Sequence, residues 1–139
     1  TKKKFNTKNK IMVMKKKKKS YRNPQLSNTV ILVETGLQAL VGWNLFNIGA
    51  SNAFVKLYDK ASAGAVNLAT DTPLDTLMVP ASGLFFLSNE DKYQLNFSQG
   101  LCIVATLSSL DGTSNAPVAP VYCKLLYEPL LQSNSNLNR

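Results

Sequence analysis

Apolar residues fall along this chain in short runs, separated by clusters of turn residues. The runs are rich in Val, Leu, Ile, Phe and Tyr, which read as strands. They predict strands at 27–34 (SNTVILVE), 39–47 (ALVGWNLFN), 53–59 (AFVKLYD), 74–80 (LDTLMVP), 84–88 (LFFLS), 93–97 (YQLNF), 101–108 (LCIVATLS) and 121–128 (VYCKLLYE). Between them lie IGASN, KASAGAVNLATDTP, ASG, NEDK, SQG and SLDGTSNAPVAP. No window holds a 3.6-residue period; VETGLQALVG comes nearest, but two glycines bracket it. Alternation is visible instead. Phe54, Lys56 and Tyr58 point one way and Val55 and Leu57 the other, while Val121, Cys123, Leu125 and Tyr127 oppose Tyr122, Lys124 and Leu126.

Eight short strands at such spacing predict an all-β fold, an antiparallel β-sandwich of jelly-roll or immunoglobulin-like type. TVILV and LCIVAT are apolar on both faces, which predicts central strands or an outer face covered by another subunit. Trp43 reads as a core anchor, and Asn47 and Asn52 around IGAS suit a hairpin turn. Pro73 and Pro80 bracket one strand at positions that need no ladder donor.

Charge divides the chain into zones. Residues 1–22 hold eleven of the sixteen basic residues and no carboxylate, whereas the other 117 residues carry five basic and eight acidic groups. The formal +8 is therefore +11 on a leader and −3 on the rest. The expected organisation is an extended basic N-terminal arm at 1–26, a β-sandwich domain at 27–129 and a polar Asn/Ser-rich tail at 130–139. The arm ends at RNPQ, where Pro24 disfavours helix at Asn23. Roughly 105 residues remain to fold, enough to bury a modest core without staples. The leader does not read as a secretory signal, because IMVM supplies four apolar residues where about seven are needed. Nor does any stretch approach the ~20 apolar residues that span a bilayer. The initial Thr fits either removal of a Met or cleavage of a longer precursor.

The chemistry narrows the function classes. Histidine is absent, and with it the commonest general base and transition-metal ligand. Cys102 and Cys123, each inside an apolar run, read as buried thiols, with a single bridge as the alternative. Asp71 and Asp75 flank TPL, the arrangement of a carboxylate pair, and Glu90 and Asp91 read as turn caps. No phosphate loop and no serine–base pair is present, so the expectation is a protein that is not an enzyme and takes no metal or cofactor. Along the chain, the aromatics of the body are not interleaved with basic residues, so nucleic-acid contact is expected of the arm alone.

The stretch GWNLFNIGASNAFVKLYDKASAGAVNLATDTPLDTLMVPASG resembles small β-rich virion proteins of tailed bacteriophages. In these a strand ending in N-x-x-A/S leads to A-x-V-K-x-Y-D-K-A, then D-T-P and an apolar strand closing on V-P-A. FSQGLCIVATLSSLDGTSNAPVAPVYCKLLYE resembles their second half, and the likeness covers about residues 39–128. The basic leader has no counterpart in that pattern. The resemblance implies a structural, decoration or fibre-associated component of the particle, localised to the virion. Its implied partners are the major capsid protein or neighbouring shell or tail subunits, and copies of itself.

Within the arm, the residues expected to make contact are Lys2, Lys3, Lys4, Lys8, Lys10, Ile11, Val13, Lys15, Lys16, Lys17, Lys18, Lys19 and Arg22. Three readings compete: a solvated tail, docking on an acidic surface of a neighbouring protein, and projection onto packaged nucleic acid, where binding would fall steeply with salt. The apolar IMVM between the lysine blocks favours docking, by lying in a groove or adding a strand to a neighbour's sheet edge. A carbohydrate-binding fibre module is a further alternative, on fold analogy.

Overall fold

The computed structural model describes residues 18–88 and 94–130. These form nine strands and one short 3-10 turn at Ala63–Ala65. The strands are β1 (Lys19–Leu26), β2 (Ile31–Thr35), β3 (Gln38–Asn47), β4 (Ala53–Asp59), β5 (Asp75–Val79), β6 (Gly83–Leu87), β7 (Leu95–Phe97), β8 (Gly100–Thr106) and β9 (Val121–Pro129). All pairings are antiparallel, and the strands make two sheets: β1-β9-β3-β6, with β7 also on β3, and β2-β8-β4-β5.

The pairing is nested. β1 pairs with β9, β2 with β8, β3 with β6 and β7, and β4 with β5. A long hairpin rolled up this way, then closed by β9 on β3 and β8 on β4, is a jelly roll. Of the two sandwich types expected, this is therefore the one present. β3 is long enough to share one edge between two partners: Trp43–Asn47 take β6, and Gln38–Leu40 take β7.

The expected boundary at residue 27 moves. Residues 19–26, read as arm because of their charge, are strand β1, which pairs Lys19 with Tyr127 and Asn23 with Cys123. The ladder is irregular between Asn23 and Leu26, where Pro24 has no N–H to give, and Asn23 Oδ1 closes the gap by accepting from the Gln25 N–H at 2.9 Å. Leu26 then enters the core.

Between the sheets lie Leu40, Leu45, Val55, Leu57, Val79, Leu101, Ile103, Val121 and Leu125, each fully buried. Each such side chain contributes on the order of 1.5–3 kcal/mol relative to exposure. Trp43 is the expected anchor and meets Phe85 edge to face, ring centres 5.4 Å apart. Cys102 and Cys123 are both buried and free, so the bridge alternative falls.

A second cluster explains the strands that are apolar on both faces. Tyr58, Cys102 and Val104 face away from the core and are covered by Val30, Leu32, Val66 and Leu68 of the same chain. β8 is buried along all seven residues because its outer side lies under the chain's own loops. The IGAS segment also differs from expectation, since it carries the chain from one sheet to the other and closes no hairpin. Asn47 holds it, accepting from the Gly49 N–H at 2.8 Å and donating to Ser51 O and Val79 O at 2.8 and 3.1 Å.

Candidate docking face

On the other sheet, β3 is buried from Gln38 to Trp43, and the half around Phe46 and Phe86 has no such cover among the described residues. Outward-pointing residues of β1, β9, β3 and β6 stand in cross-strand rows fixed by the register. One row is Arg22, Lys124, Asn44 and Phe86, and the next is Tyr122, Phe46 and Leu84. Neighbours within a row are about 4.8 Å apart, so the first row spans roughly 14 Å. The faces expected for the last strand are those observed, with Val121, Cys123, Leu125 and Tyr127 in the core and Tyr122, Lys124 and Leu126 outside.

This face exposes large apolar groups: Phe46 at 42%, Leu84 at 56% and Phe86 at 57%. Isolated exposed apolar residues are ordinary, whereas a contiguous group rimmed by polar side chains marks an interaction surface. Gly42 pairs with Leu126 and offers no side chain to its row. Beside it Asn44, Phe86, Leu87, Lys124 and Leu126 line a shallow cleft of ≈ 150 Å³. Arg22 extends over Tyr122, its Nε donating to the hydroxyl at 3.2 Å and its guanidinium 5.4 Å from the ring centre. That contact ties the guanidinium to the Tyr122 side chain, at a gain of about 0.5–1 kcal/mol for an exposed pair.

Of the arm residues singled out in the sequence, Lys18, Lys19 and Arg22 are described; Lys2, Lys3, Lys4, Lys8, Lys10, Ile11, Val13, Lys15, Lys16 and Lys17 lie outside the described residues. Lys18 Nζ is 4.0 Å from Glu128, and Lys19 Nζ donates to Glu34 at 3.2 and 3.4 Å. These two lysines thus spend their charge on the chain's own carboxylates, in exposed pairs worth at most about 1 kcal/mol each. Arg22 alone of the three joins the bare face. Lys124, Phe46 and Phe86 were not singled out, because basic and aromatic residues interleave here across strands and not along them. Period-two alternation around Lys124 is the signal that points to them.

The remaining reactive groups serve the fold. Burial pushes the Cys123 thiol up to about 12 and raises that of Cys102, so neither is a thiolate near neutrality. Asp71 Oδ2 accepts from the Asn67 N–H at 2.8 Å and lies 3.6 Å from Lys60, and Asp75 Oδ1 accepts from the Thr76 N–H at 2.7 Å. Asp71 is a turn group of the β4–β5 connection and Asp75 opens β5, while Glu90 and Asp91 lie outside the described residues. Among the described residues no three His, Cys, Asp or Glu gather as metal ligands.

No protein-family model and no curated protein matches the chain. Among solved structures it is similar to a protein described under Bacillus endospore appendages, which form a novel family of disulfide-linked pili. The two are 15% identical with a TM-score of 0.39, over 84% of this chain and 87% of that one. A likeness of that degree carries no argument about function.

Proposed function

We propose that this chain is a non-enzymatic structural subunit of a virion of the tailed-phage type, held in its particle by the bare sheet face and by the lysine-rich segment 1–17. One observation carries the reading: the chain covers the outer face of one sheet with its own loops and leaves Phe46, Leu84 and Phe86 exposed on the other. Burying that face against a neighbouring protein is what such a patch favours. The segments that resemble phage virion proteins supply the strands and turns of the jelly roll, so the likeness supports a shared scaffold. A second reading, a coat subunit whose arm binds packaged nucleic acid, is favoured by the eight lysines within residues 1–17.

Expression of the chain with the genes that surround it tests the proposal. The wild type should sediment with particles, and Phe86→Glu should stay folded in the unassembled fraction while particles form without it. Wild-type protein that folds and remains outside every particle would reject the structural role. Incorporation that survives Phe86→Glu but fails once residues 1–17 are removed and packaged nucleic acid is digested would favour the second reading.

A further inference from the structure

The charges of the described residues are divided between the two layers. Lys18 and the β1-β9-β3-β6 sheet hold four cations and one carboxylate, whereas the β2-β8-β4-β5 sheet and its loops hold two cations and five carboxylates. Internal pairing consumes much of this, through Lys18–Glu128, Lys19–Glu34 and Lys60–Asp71. What is left for a partner is Arg22 and Lys124 among apolar groups on one face, and the exposed Asp111 on the opposite surface.

Two loops build that opposite surface. The β4–β5 and β8–β9 connections meet over sheet β2-β8-β4-β5, so closely that a Cβ on Gly112 would stand 3.2 Å from Ala69 O. Beneath them Lys56 Nζ donates to Leu110 O at 2.7 Å and to Thr113 Oγ1 at 3.1 Å, fixing the β8–β9 loop. The loop tip presents Leu110, 67% exposed, directly beside the exposed Asp111.

We propose that the bare sheet face of one copy binds the loop face of a second copy, Phe46, Leu84 and Phe86 covering Leu110 while Lys124 and Arg22 oppose Asp111. This rests on the structural reading above and names its partner. Two copies joined through their sheet faces would set Arg22 and Lys124 against their own kind, a like-charge arrangement that disfavours a symmetric dimer. A contact between unlike faces is heterologous, so each added copy exposes a fresh binding face. The assembly therefore grows into a ring or a filament and does not stop at two.

Sedimentation velocity on the full chain, nuclease-treated and at rising concentration, tests this. The expected result is a ladder of species beyond dimer that shrinks in high salt. Lys124→Glu and Asp111→Lys should each weaken association about tenfold or more, and the double exchange should recover most of it. Leu110→Asp, at a site with little to lose in folding, should act like the single exchanges. A dimer as end point, oligomers that vanish with nuclease, or a double exchange that fails to recover association would each overturn the proposal. Oligomers indifferent to every exchange overturn the head-to-tail contact and leave the structural reading standing. A chain that is monomeric at all concentrations yet enters particles does the same, whereas one that also stays outside particles overturns both.

Discussion

The Tyr127 hydroxyl donates a 2.8 Å hydrogen bond to Glu34 Oε1, and with it a strand of one sheet holds a strand of the other. Tyr127 lies on β9 and Glu34 on β2, and Lys19 of β1 closes on the same carboxylate. The Tyr127 bond outweighs burial and, with Lys19, holds the Glu34 carboxyl below its ordinary range. Burial first, then Glu34, pushes Tyr127 up to about 12.

The signs of these shifts define the first prediction. A lowered carboxyl contributes stability above its unfolded pKa of about 4.3 and loses it as pH falls further. A raised phenol contributes below about pH 10 and loses it as pH climbs through the folded value. Tyr127→Phe should therefore cost about 1–2 kcal/mol at pH 7, allowing for partial exposure of the carboxylate, and clearly less at pH 3. Urea unfolding at the two pH values measures this, and an equal cost at both would rule out the linkage.

Asp59 offers a second acid-sensitive lock of different construction. Its carboxylate, at the end of β4, accepts from the N–H and hydroxyl of Ser98 at 3.0 Å each and from the N–H groups of Gln99 and Gly100 at 2.7 and 3.2 Å. Burial acts to raise its pKa, but the four hydrogen bonds together prevail and hold it low. The chain passes so close here that a Cβ on Gly100 would lie 2.5 Å from Lys60 O. Asp59→Asn turns an amide N–H toward these donors and should cost about 2 kcal/mol at neutral pH. The deficit should begin to shrink below the unfolded value of about 3.9 and continue to shrink as pH falls through the lowered folded one, and thermal midpoints from pH 7 to 3 would show whether it does.

How far the sequence foretold this molecule depends on the range of the interaction. Strands β2 to β9 were legible because each is a local run of apolar residues between turn residues. β1 was not, since Lys19 and Arg22 continue a lysine block and Pro24 argues against a strand, while the inward positions of Tyr21 and Leu26 carry little weight in isolation. The choice of jelly roll over immunoglobulin-like winding depends on which strands pair, and no short window encodes that. The docking face shows the same limit. The alternation of β9 put Lys124 outside, yet only the register sets it between Arg22 and Asn44, with Phe86 beyond. Lys56 shows this limit too, since alternation sets it on one face with Phe54 and Tyr58, and only the β8–β9 loop folded over that face buries it.

That buried lysine yields the last prediction. Its ammonium donates to Leu110 O, Thr113 Oγ1 and Thr113 O at 2.7, 3.1 and 3.3 Å, so three protons meet three acceptors. Burial pushes its pKa down, and the field of Asp111 opposes the shift in part. A lowered lysine works against folding while it is charged, and the penalty is relieved as pH rises toward the unfolded value of about 10.4. Lys56→Met keeps the stem packing and removes that penalty, but it leaves the carbonyls of Leu110 and Thr113 to water. Overall stability should then change by no more than about 1–2 kcal/mol, whereas the β8–β9 loop should loosen. Hydrogen exchange at Leu107 and Thr113, whose N–H groups bond within that loop, should speed up about tenfold or more. Lys56→Ala, which also empties the space of the stem, should lose about 2–4 kcal/mol globally. Unchanged exchange at both amides in Lys56→Met would mean that the loop holds its shape without the lysine. Leu110 and Asp111 would then be set by the loop's own turns.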